Sequence, residues 1–275
     1  MKISSKKTLG PVSAYLITQL KKANKSIFRI RDAEQILDKD EKAAADLLSK
    51  LVRRGIISRL KAGLFMIVPL EAEKNYLENR YVIAGEIIRP NRYYISHASA
   101  MAIHGLTTQP VLNVQISSAV RKKDMAVSGI KFSFCRVKPS AYFGIEEKWV
   151  TKQEKASVSD LERTIVDCLA RPELCGGVSE AAKGIWLSRG KTDYVKLVRY
   201  VKKLGIKAVA KRLGFILQRL ELSDKRTLAE LKKYSQSSET YVLFDPTLKK
   251  TGKYLREWRL RVNFNPEELK AAVWA

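Results

Sequence analysis

Two histidines, a short acidic run and three cysteines are the residues of this chain whose types could do chemistry. His97 and His104 stand seven apart, so a helix would carry both on one face, about 10 Å apart along its axis. That separation prevents them from sharing one metal ion. A capping role for His97 and a core role for His104 are the expected readings. The run from Ser159 to Asp167 offers carboxylates at Asp160, Glu162 and Asp167 together with Arg163. Asp160 and Asp167 could face one way, which is not enough to mark an active site. Ser157 and Ser159 ahead of them make a helix cap followed by first-turn acids an equally natural reading. Cys135, Cys168 and Cys175 are odd in number and spaced 33 and 7 apart, which fits neither a disulfide framework nor a four-ligand zinc site. Cys168 and Cys175 read as small core residues. No phosphate-binding glycine loop is present. These patterns predict no enzyme, no cofactor and no metal; the reading from that class left standing is a nucleic-acid enzyme using His97, His104 or the acids near Asp160.

The charge points elsewhere. Of 275 residues, 52 are Lys or Arg and 28 are Asp or Glu, a net +24 with a pI near 9.9. A polyanionic partner explains that excess, because each neutralised phosphate releases counterions and adds affinity without needing sequence information; solvated helix faces in a lysine-rich proteome are the plainer alternative. With 45% hydrophobic residues the chain has ample material for a core. No window reaches the roughly 18 apolar residues of a membrane span. Lys2, Lys6 and Lys7 imitate the start of a signal peptide, but Ser13, Thr18 and Gln19 interrupt Gly10–Leu20 and no small-residue cleavage site follows. A reducing, cytoplasmic setting is expected.

The elements that must position a basic surface begin at the N-terminus. Residues 1–70 carry 15 Lys and Arg against 6 Asp and Glu, in the order helix, helix, helix, hairpin. Pro11–Ala23 places Val12, Tyr15, Leu16 and Leu20 at helical spacing, and Arg31–Leu37 forms a short second helix. From Glu41 to Arg54, Ala44, Leu47, Leu48, Leu51 and Val52 repeat at three and four, leaving Lys42, Ala43, Asp46, Ser49, Lys50 and Arg53 on the opposite face. Gly55 stops that helix. Ile56–Leu60 and Leu64–Val68 then pair as a hairpin with Lys61 and Gly63 at its tip. Three helices and a two-stranded wing predict a winged helix-turn-helix. Its third helix would enter the major groove of double-stranded DNA, and Arg59, Lys61 and Gly63 would form the wing. Winged helices also dock proteins, which is the alternative.

Residues 71–80 read as a linker, and 81–275 as a larger α+β domain with strands first and helices later. Tyr81–Ile88 and His97–His104 are predicted helices; Val111–Ser117, Ile130–Val137 and Tyr142–Ile145 are predicted strands. Helices follow at Asp160–Leu169, Val178–Ser188, Thr192–Leu204, Ile206–Glu221 and Arg226–Tyr234, with Tyr241–Phe244 and Trp258–Asn263 as closing strands. Residues 191–233 hold 13 Lys and Arg against 4 Asp and Glu. Lys196, Arg199, Lys202, Lys203, Lys207, Lys211 and Arg212 form a second predicted basic surface, open to DNA, to another nucleic acid, to an acidic protein or simply to solvent.

Several strings in order are similar to the AbiEi family, the antitoxins of type IV abortive-infection toxin–antitoxin systems. They are RGIISRLKAGLF at 54–65, YISHASAMAIHG at 94–105, SDLERTIVDCLARPELCGG at 159–177 and KRLGF at 211–215. The third is the specific one; the first is shared by many winged helices. The resemblance spans nearly the whole chain, although a high positive charge is no mark of the family. It implies a DNA-binding N-terminal domain that represses its own operon at inverted repeats, with dimerisation on paired half-sites. It further implies a C-terminal domain that counters a nucleotidyltransferase-like toxin without requiring a stable complex. Glu162, Arg163, Asp167 and Glu173 in the specific block are expected to be ion pairs that pin the helix and the Pro172–Gly177 turn, with a direct antitoxic contact as the alternative. The competing reading is a winged-helix regulator with no toxin, in which residues 81–275 serve as an effector or oligomerisation domain.

Overall fold

A computed structural model of the chain describes residues 9–69, 79–127, 129–152 and 154–274. The fold is mixed α+β and divides into two compact units, residues 1–87 with 125–131, and residues 88–124 with 132–275.

The first unit opens with α1 (Pro11–Lys22), whose N1 proline suits a helix start. Next come β1 (Ile27–Arg29), α2 (Ile30–Leu37), α3 (Glu41–Arg53), β2 (Ile57–Lys61), β3 (Leu64–Ile67) and α4 (Arg80–Ile88). The predicted break after α1 is a strand: β1 pairs antiparallel with β3, Phe28 opposite Phe65, and the sheet runs β1-β3-β2. Three residues are too few to show the period-two pattern that marks a strand in sequence. Leu16, Leu20, Phe28, Ala33, Leu48, Leu51, Ile57 and Phe65 share one core. Asp40 caps α3, its Oδ1 accepting from Ala43 N at 2.7 Å.

This unit reaches past the expected boundary at residue 70. Tyr81, Ile83, Ala84 and Ile87 of α4 are buried, and Arg29 donates to the Glu86 carbonyl at 2.7 Å, which ties α4 to β1. Of the expected linker at 71–80, residues 71–78 lie outside those described.

The second unit begins with β4 (Tyr93–Ile95), α5 (His97–His104) and β5 (Val114–Ser118). After β6 (Met125–Val127), grouped with the first unit, come β7 (Ile130–Arg136), β8 (Ile145–Trp149) and β9 (Lys155–Ser159). Its mixed sheet runs β7-β5-β4-β9-β8, with β5 parallel to β7, β4 antiparallel to β5 and parallel to β9, and β8 antiparallel to β9. The strand expected at Tyr142–Ile145 starts only at Ile145. Gly144 stands at φ +64° with Tyr200 and Arg163 against it, and the Ala141 and Phe143 carbonyls turn toward Arg163 instead of a neighbouring strand.

Helices α6 (Leu161–Ala170), α7 (Val178–Ser188), α8 (Tyr194–Leu204), α9 (Lys207–Arg219) and α10 (Lys225–Gln236) follow. Asp160, Asp193 and Asp224 cap α6, α8 and α10 by accepting from the backbone amide three residues on. The α6 cap is thus Asp160 itself rather than Ser157 or Ser159. A small sheet of β10 (Val242–Leu243), β11 (Lys253–Leu255) and β12 (Leu260–Val262) precedes α11 (Pro266–Trp274). One apolar cluster runs through α6, α7, α8 and α9 to Trp258.

Candidate functional site

On α3, Ala44, Leu48 and Leu51 are buried, while Lys42, Asp46, Ser49, Lys50 and Arg53 are exposed. None of those five makes a side-chain hydrogen bond or ion pair among the described residues. Ala43 is half-buried, its amide taken by the Asp40 cap. The amphipathic spacing read from sequence is therefore real burial, and the outward face carries three free cations and one carboxylate.

The hairpin treats its cations differently. Arg59 is exposed, its guanidinium 5.8 Å from the Phe65 ring centre. Lys61 is half-buried with Nζ 3.4 Å from the Ile87 carbonyl, so it is anchored within its own unit. Gly63 holds φ +70° with open space where a Cβ would stand, as the tip of a tight hairpin requires.

The second basic surface does not survive as one surface. Lys211 is fully buried and donates to the Ser238 and Thr240 carbonyls. Arg212, also buried, donates to the carbonyls of Leu169, Phe244 and Leu243 at 2.7, 2.9 and 3.2 Å. Burial lowers the pKa of both. They are struts of the fold, because a buried cation persists only where acceptors surround it. Lys196 bridges Asp160 at 3.0 Å and Glu162 at 2.8 Å, and those two carboxylates overcome its partial burial and raise its pKa. Lys202 pairs with Glu230 at 2.9 Å, Lys203 lies 4.5 Å from the Phe143 ring centre, and Lys207 lies over Tyr234 at 3.3 Å. Arg199 is 5.9 Å from the Tyr200 ring centre.

The specific block is a buried charge cluster. Arg163 is fully buried. Its Nε meets Asp167 Oδ1 at 2.9 Å, Nη1 donates to the Ala141 and Phe143 carbonyls at 2.7 and 3.1 Å, and Nη2 donates to the Tyr94 hydroxyl at 2.8 Å. Burial raises the Asp167 pKa against the pull of Arg163. Glu162 accepts from the Asp193 amide at 2.9 Å as well as from Lys196, tying α6 to the start of α8. Glu173 makes only a half-exposed pair with Arg171 at 3.1 Å. The ion-pair reading fits Glu162, Arg163 and Asp167, whereas Glu173 faces solvent and pins little. Asp160 turns its Oδ2 to Tyr200 and Lys196, and Asp167 faces Arg163, so the two carboxylates are turned to different partners. Sequence reading missed Tyr94, Tyr200 and the two carbonyls that complete the cluster; they come from 20 or more residues away, and no local spacing marks them.

His97 is buried at the first position of α5, with φ +53° and Nδ1 2.8 Å from Ser96 Oγ; it makes no side-chain cap. Burial, aided by the Arg171 cation, drives its pKa down to about 3. His104 is half-buried and donates from Nε2 to the Ser159 carbonyl at 2.7 Å, and burial lowers its pKa too. Among the described residues no group of three or more His, Cys, Asp or Glu is placed to hold a metal ion. Cys135, Cys168 and Cys175 are free and buried. No helix among the described residues is long and apolar enough to cross a membrane.

A solved structure shares this fold. It is the crystal structure of the RV2827C protein from Mycobacterium tuberculosis, 14% identical, with a TM-score of 0.67 over 98% of this chain and 96% of that one. At that identity the likeness carries the architecture alone. No protein-family model and no curated protein matches the sequence.

Proposed function

We propose that the N-terminal unit is a winged helix-turn-helix that binds duplex DNA, and that the chain is an antitoxin repressing its own toxin–antitoxin operon. The observation that carries the DNA reading is the outward face of α3, where Lys42, Lys50 and Arg53 stand exposed without an internal partner. The order α1-β1-α2-α3-β2-β3 with its β1-β3-β2 sheet supports the same reading. A helix about 10–12 Å across fits a major groove about 12 Å wide. In that pose Lys50 and Arg53 reach phosphates or guanine edges, Ser49 and Asp46 discriminate among bases, and Arg59 on the hairpin meets the neighbouring backbone.

The antitoxin half of the proposal rests on the resemblance of the strings at 94–105, 159–177 and 211–215 to the AbiEi family. In this reading the second unit opposes a nucleotidyltransferase-like toxin without holding it in a stable complex, and the protein pairs on inverted half-sites.

A gel-shift titration against the chain's own upstream region and a scrambled duplex tests the first half. Preference for the upstream duplex, lost in Lys50→Ala/Arg53→Ala and weakened in Arg59→Ala, is the expected result; equal binding to both duplexes sinks operator recognition. Growth rescue on co-expression with a nucleotidyltransferase encoded beside the gene tests the second half, and persistent toxicity there would leave a regulator without a toxin.

A further inference from the structure

The small sheet of the second unit carries an exposed pair of aromatic rings. Tyr254 of β11 stands opposite Arg261 of β12, and Arg261 opposite Leu243 of β10, so the three share one face. Tyr241, two residues before Leu243, packs edge-to-face on Tyr254, with ring centres 5.1 Å apart and planes at 88°. The Arg261 guanidinium lies 5.4 Å from the Tyr254 ring centre. Tyr254 still keeps 65% of its surface exposed and Tyr241 40%. Single exposed apolar residues are ordinary on a protein surface. Two rings held against each other and against a guanidinium form a preorganised platform.

Positive charge surrounds the pair. Residues 239–262 hold Lys249, Lys250, Lys253, Arg256, Arg259 and Arg261 against Glu239, Asp245 and Glu257. None of those six cations is in an ion pair among the described residues. Asp245 is buried and accepts from the Val178 amide and the Thr247 hydroxyl, and Glu257 is paired with Lys232 at 2.9 Å. Of the three carboxylates only Glu239 is left exposed and unpaired. Tyr254 and Lys253 also line a cleft of about 760 Å³ with Phe215 and Phe264. That volume lies within the range of ligand sites, so a planar group beside Tyr254 has room.

We propose that this face binds single-stranded RNA, with bases stacking on Tyr254 and Tyr241 and phosphates lying among Lys253, Arg256 and Arg261. Every base has a π-face, and aromatic side chains set among cations hold unpaired strands without sequence preference. A duplex keeps its base faces inside its own stack and offers the rings nothing. An acidic peptide would meet the cations and leave the rings idle. RNA is the nucleic acid whose loops and ends present unpaired, splayed bases in its folded state. The surface makes no use of α3, so it is independent of the duplex reading.

The test is fluorescence anisotropy of the full-length chain with a labelled, unstructured RNA of about 12 nucleotides, the same strand as DNA, an abasic strand of equal charge, and polyglutamate of equal charge. The RNA should bind saturably, at least as tightly as the DNA strand and at least tenfold more tightly than the abasic strand and the polyglutamate. Tyr254→Ala should weaken RNA binding about tenfold while Tyr254→Phe preserves it, and neither should alter duplex binding. Lys253→Gln/Arg256→Gln, both exposed, should flatten the slope of log affinity against log salt by about 1.4, from about 0.7 per single-strand phosphate contact. No RNA binding at micromolar concentration, tighter binding of the DNA strand, equal binding of the abasic strand or polyglutamate, or an affinity indifferent to Tyr254→Ala would overturn the proposal. Lys50→Ala/Arg53→Ala should weaken duplex binding alone, so either reading can fail without the other.

Discussion

Arg163 directs its guanidinium wholly inward, to one carboxylate, two loop carbonyls and one phenol hydroxyl. Removing one partner of a buried pair leaves an uncompensated charge, so Arg163→Met should destabilise the second unit by about 3–5 kcal/mol, read as a lowered denaturant midpoint. Little change would mean that the cluster bears no load. The neighbouring imidazole makes a pH prediction. His97 has its pKa depressed from an ordinary 6.5 to about 3, so below 6.5 the unfolded chain takes a proton that the native ring refuses. Its stabilising contribution is present above 6.5 and is lost as pH falls toward 3, by about 1.4 kcal/mol per pH unit. Asp167, raised by burial, acts in the opposite sense over the acid range. His97→Asn keeps a residue tolerant of the φ +53° backbone and removes the titration; denaturation from pH 7 to 4 should then show a flatter decline. An unchanged slope would place the acid sensitivity elsewhere.

At the scale of elements, α9 shows how close approach overrides propensity. Gly214 sits in mid-helix, where Ala is ordinarily worth about 1 kcal/mol more. Here a Cβ would stand 2.1 Å from the buried Trp258 ring. Trp258 is tethered to the same helix one turn on, its indole N–H donating to Gln218. Gly214→Ala should therefore destabilise by about 1–3 kcal/mol, the cost of overpacking, and a thermal midpoint at or above that of the native chain would contradict the packing described. Much of this was legible in the sequence. The 3.6 period located α3, α7 and α9, and the Leu and Ala spacing of α3 separated its inner face from its outer one. β1, β9 and β11 were not legible, because strands of three to five residues with mixed exposure show no alternation long enough to read.

For the whole molecule the governing quantity is +24. If α3 and the hairpin bring about four cations to phosphates, log affinity for duplex DNA should fall with log salt at a slope of about −3 to −4. A slope near zero would remove the electrostatic account, and one twice as steep would add cations from the second unit to the footprint. The amino-acid sequence by itself determined that the protein is mixed α+β, that it is strongly basic, and that α3 has a face free of core duty; periodicity and composition are local properties and survive without coordinates. Which cations are available was decided only by tertiary structure. Lys211 and Arg212 follow the same helical spacing as Lys203 and Lys207, yet the first two are buried against carbonyls from residues about 30 or more positions away. Burial depends on what packs against a residue, and that partner lies too far along the chain for any spacing rule to name.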